Sequence, residues 1–120
     1  MSYLDALKEL SETSEFVLTV CTGSALLAAT GLLDGREATT NKIAFQWVVS
    51  VRPEVNWQRN ARWSLDGKYY TSSGVSAGID MALGFFADRH GLHKATEAAG
   101  QIEYCWNGDR DNDPFAAERH

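Results

Sequence analysis

The side chain best placed to do chemistry in this sequence is Cys21. It follows an apolar, β-rich run, Phe16-Val17-Leu18-Thr19-Val20, and precedes a small-residue stretch from Gly23 to Thr30. The first run has the character of a strand buried on both faces in a parallel sheet. The second predicts a compact helix that Gly31 can end in a left-handed cap. A cysteine on such a strand-to-helix turn is lifted clear of the sheet, and small neighbours such as Gly23 and Ser24 let a substrate approach. Free N–H groups in the first helical turn favour a thiolate and can bind a developing oxyanion, with the Thr22 N–H as one donor. The other reading of Cys21 is a small buried hydrophobe, a common fate of free cysteine.

Other chemistry-bearing residues have weaker claims. Cys105, beside Trp106, has no partner that the sequence identifies. The remaining metal-capable residues are His90, His93 and His120. His90 and His93 can share a helix face, but two imidazoles without a third ligand read as surface histidines, so no metal and no cofactor is expected. Asp34, Asp66 and Asp80 fall in turn or helix-start contexts, and for Asp80 a helix-dipole role is the plainer reading. Ser72-Ser73-Gly74 precedes a helix, where Ser73 and Gly74 can bind an anion or simply cap it. Trp47, Trp57, Trp63 and Trp106 read as core or interface fillers.

The elements that must position Cys21 follow from hydrophobic spacing. Leu4, Leu7 and Leu10 predict an amphipathic helix over 3–10, broken at 11–14. A second helix spans 42–51, with Ala44, Trp47, Val48 and Val51 on its buried face, and Arg52-Pro53 closes it. Short strands are expected over 55–57 and 61–65, and Asp66-Gly67 before Lys68-Tyr69-Tyr70-Thr71 is a hairpin signal. A helix over 77–89 buries Ile79, Ala82, Leu83 and Phe86. A last helix over 92–104 uses Ala95, Ala98, Ala99 and Ile102, and an irregular tail begins at about 107. Strands alternating with helices make an α/β chain, with a thin sheet and one domain over 1–120.

Composition narrows the function classes. In 120 residues, 44% hydrophobic content supplies a real core, which argues against disorder. A net charge of −5 and no run of Lys and Arg argue against nucleic acid or anionic lipid as partners. No apolar stretch approaches a membrane span, and the first residues lack a secretory pattern. Two cysteines in unlike surroundings fit a reducing cytoplasm.

The stretch from Thr19 to Arg36 resembles the cysteine turn of the ThiJ/PfpI family, within the class I glutamine amidotransferase-like superfamily. So do Ala38-Thr39-Thr40, Tyr70-Thr71-Ser72-Ser73-Gly74 and Ser76-Ala77-Gly78-Ile79-Asp80. The resemblance is to the isonitrile-hydratase-like and transcription-regulator-associated branch, and it spans about 4–115. It implies a partial flavodoxin-like sandwich, a parallel sheet flanked by helices with one hairpin, and commonly a dimer. It implies a nucleophilic role for Cys21 and an assisting role for Thr22. Gly23, Asn41, Ser73 and Gly74 would then line the binding site. Where many relatives have Thr-Thr-His, this chain has Thr39-Thr40-Asn41, and an amide cannot relay a proton near neutral pH.

Cys21 lies near the start of the chain, so the family's opening strands and their acidic residue are expected to be missing. The resemblance therefore implies impaired or no catalysis, with two alternatives. One is a cysteine-dependent hydratase or hydrolase of small molecules completed by a partner subunit, and the other is a thiol-based redox or electrophile sensor. An unpaired strand edge further predicts a homodimer.

Overall fold

The computed structural model describes residues 2–116, so His120 lies outside the described residues. Ser2 caps α1 (Tyr3–Thr13): its hydroxyl accepts the Asp5 N–H at 3.1 Å while the Asp5 carboxylate accepts the Ser2 N–H at 3.3 Å. The helix continues three residues into the expected break at 11–14 and ends at Thr13, where the Thr13 and Ser14 hydroxyls donate back to the carbonyls of Glu9 and Leu10.

The other elements follow as β1 (Val17–Thr19), α2 (Gly23–Ala29), β2 (Glu37–Ala38), α3 (Phe45–Val51), β3 (Asn56–Trp57), β4 (Trp63–Asp66), β5 (Tyr69–Ser72), α4 (Val75–His90) and α5 (Leu92–Gln101). The main sheet has the order β1-β5-β4, with β1 parallel to β5 and β4 antiparallel to it. The expected hairpin joins β4 to β5 through Gly67, whose φ of 61° matches the turn's need for a left-handed residue. A second parallel pair joins β2 to β3; the sequence reading had no strand at Glu37–Ala38.

Helices cover both faces of the main sheet, as the α/β reading requires. On one face Leu27 and Ala28 of α2 pack with Leu33, Ala38, Val55 and Tyr69. On the other, Met81 of α4 packs with Trp63 and Tyr70, and the Phe85 ring sits edge-on to Phe16 and Tyr70, each at 5.1 Å. α1 packs beside α2, and α5 beside α4 through buried Ala95 and Ala99.

Three expected faces need correction. β1 is not buried on both faces, since Leu18 is 38% exposed and Val20 43%. Among the described residues it stands at the sheet edge with β5 as its one neighbour. α3 buries Phe45 and Val48 rather than Trp47, which is 61% exposed, or Val51. α4 buries Ala77, Gly78, Asp80, Met81, Leu83 and Gly84, whereas Ile79, Ala82 and Phe86 face outward. Its glycines explain the rotation. A Cβ on Gly78 would lie 2.8 Å from Val20 Cγ1, and one on Gly84 would lie 2.7 Å from Trp63 Cζ2. The helix therefore seats its smallest residues on the sheet and approaches more closely than bulkier ones would allow. α5 also ends at Gln101, three residues short of the expected 104, leaving Ile102 exposed.

The C-terminal tail is irregular from 107 as expected, yet it is pinned. Arg62, 8% exposed in its side chain, donates from Nε to Asp80 Oδ2 at 2.8 Å and reaches Asp113 Oδ1 from its other arm at 3.4 Å. Asp80 Oδ1 accepts the Asn107 N–H at 3.0 Å, and the Trp106 indole donates to the Asp80 carbonyl at 3.1 Å. Asp80 is thus a buried ion-pair partner beyond the first turn of α4, not the first-turn helix-dipole residue expected. Lys42 completes the network. Its ammonium donates to Thr39 Oγ1, the Thr40 carbonyl and the Ala61 carbonyl, and stands 3.6 Å from Asp113 Oδ2.

Burial pushes Lys42 down from its ordinary 10.5 to about 8, against the opposing pull of Asp113. Between these values the unfolded chain binds more protons than the folded one, so Lys42 makes folding stability rise with pH across that window. The Tyr70 and Tyr104 hydroxyls, held protonated beyond their usual 10 mainly by burial, oppose this above pH 10. Urea midpoints should therefore climb from pH 8 to 10 relative to Lys42→Met, in which the climb disappears; parallel curves for the two proteins would refute the assignment. Asp113→Ala, which strips Lys42 of its carboxylate, should destabilise by about 3–5 kcal/mol in urea at pH 7, and a loss below about 1 kcal/mol would mean that the tail is not held this way.

Candidate functional site

The parallel strands β1 and β5, with the loop after β2, deliver the expected site residues to one edge of the fold. Cys21 lies just past the end of β1, Ser73 and Gly74 just past β5, and Asn41 three residues past β2. In open α/β sheets the carboxyl ends of parallel strands are where crevices form and ligands bind.

Cys21 occupies the junction itself. Its φ is 59°, a left-handed conformation that L residues other than glycine adopt at a cost, and it is one of two non-glycine residues so placed among those described. The strand-to-helix turn expected at Cys21 is therefore present, with a left-handed backbone at that residue. Three hydrogen bonds fix it there. The Cys21 N–H donates to the Ser72 carbonyl at 3.2 Å, extending the β1–β5 ladder by one rung. The Cys21 carbonyl accepts from the Thr40 hydroxyl at 3.0 Å and from the Ser24 hydroxyl at 3.2 Å. Gly78 lets Val20, the preceding residue, lie tight against α4. The thiol is half-buried, and Cys105, by contrast, is exposed.

Thr40 is the positioning residue that sequence reasoning missed. Its signal was the Thr39-Thr40 pair, whose two hydroxyls are both buried and both engaged. Thr39 ties the loop to its surroundings, donating its N–H to Thr71 Oγ1 at 2.9 Å and its hydroxyl to the Gln58 carbonyl at 2.7 Å.

The helix behind Cys21 begins with Thr22 at its N-cap and Gly23 as its first residue. Gly23 donates its N–H to the Val20 carbonyl at 3.0 Å and Ala25 donates to the Thr22 carbonyl at 2.9 Å. The Thr22 N–H takes part in no backbone hydrogen bond among the described residues, so it is free to serve a ligand. The Thr22 side chain makes no capping bond.

Asn41, Ser73 and Gly74 form a second cluster. With Lys42, Arg62 and Asp113 they line a cavity of about 190 Å³ beside the start of α4. Cys21, Thr22 and Gly23 do not line it. The two clusters adjoin along the chain, through Ser72-Ser73 and Thr40-Asn41. Asn41 accepts the N–H groups of Ile43 and Ala44 on Oδ1, at 2.9 and 3.1 Å, which leaves its amide nitrogen as a donor. Ser73 is buried and donates its N–H to the Arg62 carbonyl at 2.9 Å.

The carboxylates that could have served Cys21 are engaged elsewhere. Asp34 pairs with Arg52, whose guanidinium holds its carboxyl below the usual range; Asp66 binds Arg36 and the Glu37 N–H; Asp80 binds Arg62. No hydrogen bond reaches the Cys21 sulfur among the described residues, and none of their carboxylates or imidazoles is hydrogen-bonded to the thiol. His93 is 92% exposed and 3.8 Å from Glu97, and His90 stacks on Phe86, so the two imidazoles act as surface groups.

Comparison with known proteins adds the rest. The model of the DJ-1/PfpI family matches residues 1–88. Isonitrile hydratase of Pseudomonas putida is 34% identical over 102 residues, covering 85% of this chain and 43% of that protein. The HTH-type transcriptional regulator CdhR of Pseudomonas aeruginosa is 36% identical over 81 residues, 68% of this chain and 24% of that protein. Among solved structures, a THiJ/PfpI family protein from Pseudomonas syringae superposes with a TM-score of 0.72 at 28% identity, over 92% of this chain and 42% of that one. DJ-1beta of Drosophila melanogaster, at 18% identity, shares the fold with a TM-score of 0.70, over 86% of this chain and 54% of that one. The chain spans less than half the length of the curated relatives it matches. The matched stretch runs through Cys21, Asn41 and Gly74 into the last turn of α4, and the chain belongs to the DJ-1/PfpI family.

Proposed function

We propose that Cys21 is a reactive thiol that captures small electrophiles or oxidants, and that a single chain lacks the base needed to turn such an adduct over. The observation that carries this reading is the left-handed backbone at Cys21, held by Ser72, Ser24 and Thr40. Strain of this kind persists only where the surroundings over-determine it, and it clusters at functional positions. An inert buried cysteine needs none of it. The free Thr22 N–H adds a donor for negative charge developing on a bound carbonyl or nitrile-like carbon's partner atom. Both thiols are unpaired, in keeping with a reducing compartment such as the cytoplasm.

A second reading is supported by the exposed edge of β1. Leu10, Leu18 and Leu26 lie along a groove between α1 and α2 and are 65%, 38% and 61% exposed. Another copy of the chain, pairing about a two-fold axis, covers such an edge with one self-complementary patch. In that homodimer a carboxylate from the second chain supplies the missing base, and the pair acts as a hydratase or hydrolase of small molecules.

Two measurements test these readings. With substoichiometric iodoacetamide, peptide mass spectrometry should find Cys21 labelled several-fold faster than Cys105, although Cys105 is the more exposed. Labelling that simply follows exposure would leave Cys21 an ordinary thiol. Sedimentation velocity at micromolar concentration should report a dimer that Leu18→Lys converts to monomer. A wild-type chain that stays monomeric and folded on dilution would remove the two-chain reading.

A further inference from the structure

The free edge of β1 ends at the reactive turn, and the direction of its backbone groups restricts what can pair with it. The Val17 N–H donates to the Lys68 carbonyl at 3.0 Å and the Cys21 N–H to the Ser72 carbonyl at 3.2 Å. The odd-numbered residues of this run thus turn their backbone toward β5, and Phe16, Leu18 and Val20 turn theirs outward. Among the described residues no carbonyl accepts the Leu18 or Val20 N–H. Phe16-Val17-Leu18-Thr19-Val20 contains no Lys, no Pro and no charge, the devices that keep an exposed edge from pairing.

A second copy of the chain satisfies this edge in one register better than in any other. Laid antiparallel about a two-fold axis, Leu18 meets Leu18, Phe16 meets Val20 and Val17 meets Thr19. Outward-turned residues then face outward-turned residues, as the ladder requires, and the whole apolar run pairs with itself. A slip of one step sets outward groups against inward ones. A slip of two leaves Val20 opposite Ser14, or Phe16 opposite Thr22, and loses apolar contact.

The same register decides where the charge beside the run goes. Glu15 is exposed and directly precedes Phe16. Continued by one residue past Val20, the pairing places it opposite Cys21 of the other copy, and side chains so opposed start from Cβ atoms about 5 Å apart. The carboxylate there meets a thiol and the free Thr22 N–H, not another anion. Gly23 lines this end of the groove between α1 and α2, and its missing side chain leaves the approach open.

We propose that Glu15 of the partner chain is the general base for Cys21, delivered by antiparallel β1–β1 pairing centred on Leu18. This rests on the two-chain reading above and adds to it the residue and the register. Glu15 takes the thiol proton as sulfur attacks an acyl carbon, and the leaving group departs with its electron pair. Glu15 releases that proton to solvent and then takes one from the water that adds to the thioester. The C–S bond breaks, its electron pair returns to sulfur, and Glu15 hands the proton back to it. Each dimer holds two such sites, with the cysteine and the carboxylate on different chains.

The register is tested by Leu18→Cys in a Cys21→Ser, Cys105→Ser background. Opposed Cα atoms about 5.5 Å apart suit a disulfide, so mild oxidation should convert the chain to covalent dimer, while Leu92→Cys in the same background should not cross-link. The base is tested by mixing variants, with p-nitrophenyl acetate as substrate. Turnover should fall about a hundredfold in Glu15→Gln, and it should vanish in Cys21→Ser. Exchanging subunits of these two in equal amounts should restore about a quarter of wild-type turnover, since half the dimers are mixed and each has one intact site. A wild-type dimer in which Leu18→Cys fails to cross-link, undiminished turnover in Glu15→Gln, or no recovery on mixing would overturn the proposal and leave the two-chain reading standing. A wild-type monomer would remove both.

Discussion

Arg62, buried between two carboxylates, is the constraint on which much of this fold rests. It leaves the start of β4, clasps Asp80 on α4 and reaches Asp113 in the tail. A guanidinium out of water is tolerable only with its charge matched and its donors used, so the tail cannot leave without exposing the cost. Asp80, in turn, holds the Trp106 indole and the Asn107 N–H. Lys42 joins the same network from the loop after β2, where it also holds Thr39 and the Thr40 carbonyl. Since the Thr40 hydroxyl grips the Cys21 carbonyl, the chain of contact runs from the C-terminal tail to the strained turn. Such contacts give the site a rigid base; they do not by themselves couple the two places.

The thiol site and the cavity are two products of one arrangement. The parallel strands β1 and β5 end on the same side, and the loop after β2 is tied to those ends through Thr39 and Thr40, so a loop residue can be poised because the strands beneath it are fixed. Ser72 serves both sites: its carbonyl extends the ladder to Cys21, and the next residue, Ser73, turns into the cavity lining. What separates the sites is direction. Cys21 leads into α2 on one face of the sheet, while Gly74 leads into α4 on the other.

Features set by neighbouring residues were legible in the sequence. The apolar run into Cys21, the small residues behind it and Asp66-Gly67 each fix their own geometry within a few residues, and the strand, the helix and the turn were read where they stand, though not the exposure of the strand. The faces of α3 and α4 were not, because the sequence offers large apolar residues as the obvious core. Here Gly78 and Gly84 win that role by letting Val20 and Trp63 approach, which depends on residues 58 and 21 positions away along the chain. Asp113 lies in a stretch of Asp, Asn, Gly and Pro whose composition reads as a solvated tail. Its partner Arg62 is 51 residues distant, and no local pattern carries that information. Lys42 was read only as the start of a helix, though it is among the most buried charges described. The edge position of β1 was legible, since the resemblance already implied a missing neighbour; its half-exposed face was the unread consequence.

The central claim is that Cys21 reacts but that one chain cannot complete a cycle. Stopped-flow release of p-nitrophenolate from p-nitrophenyl acetate tests it directly, with the protein diluted until sedimentation shows a single chain. The thiolate attacks the acetyl carbon, p-nitrophenolate leaves with the electron pair, and a thioester remains on Cys21. The account predicts a burst approaching one p-nitrophenolate per chain, a stable acetyl group on Cys21 by mass spectrometry, and no burst from Cys21→Ser. A burst of equal size in Cys21→Ser, or steady turnover by the isolated chain, would contradict it.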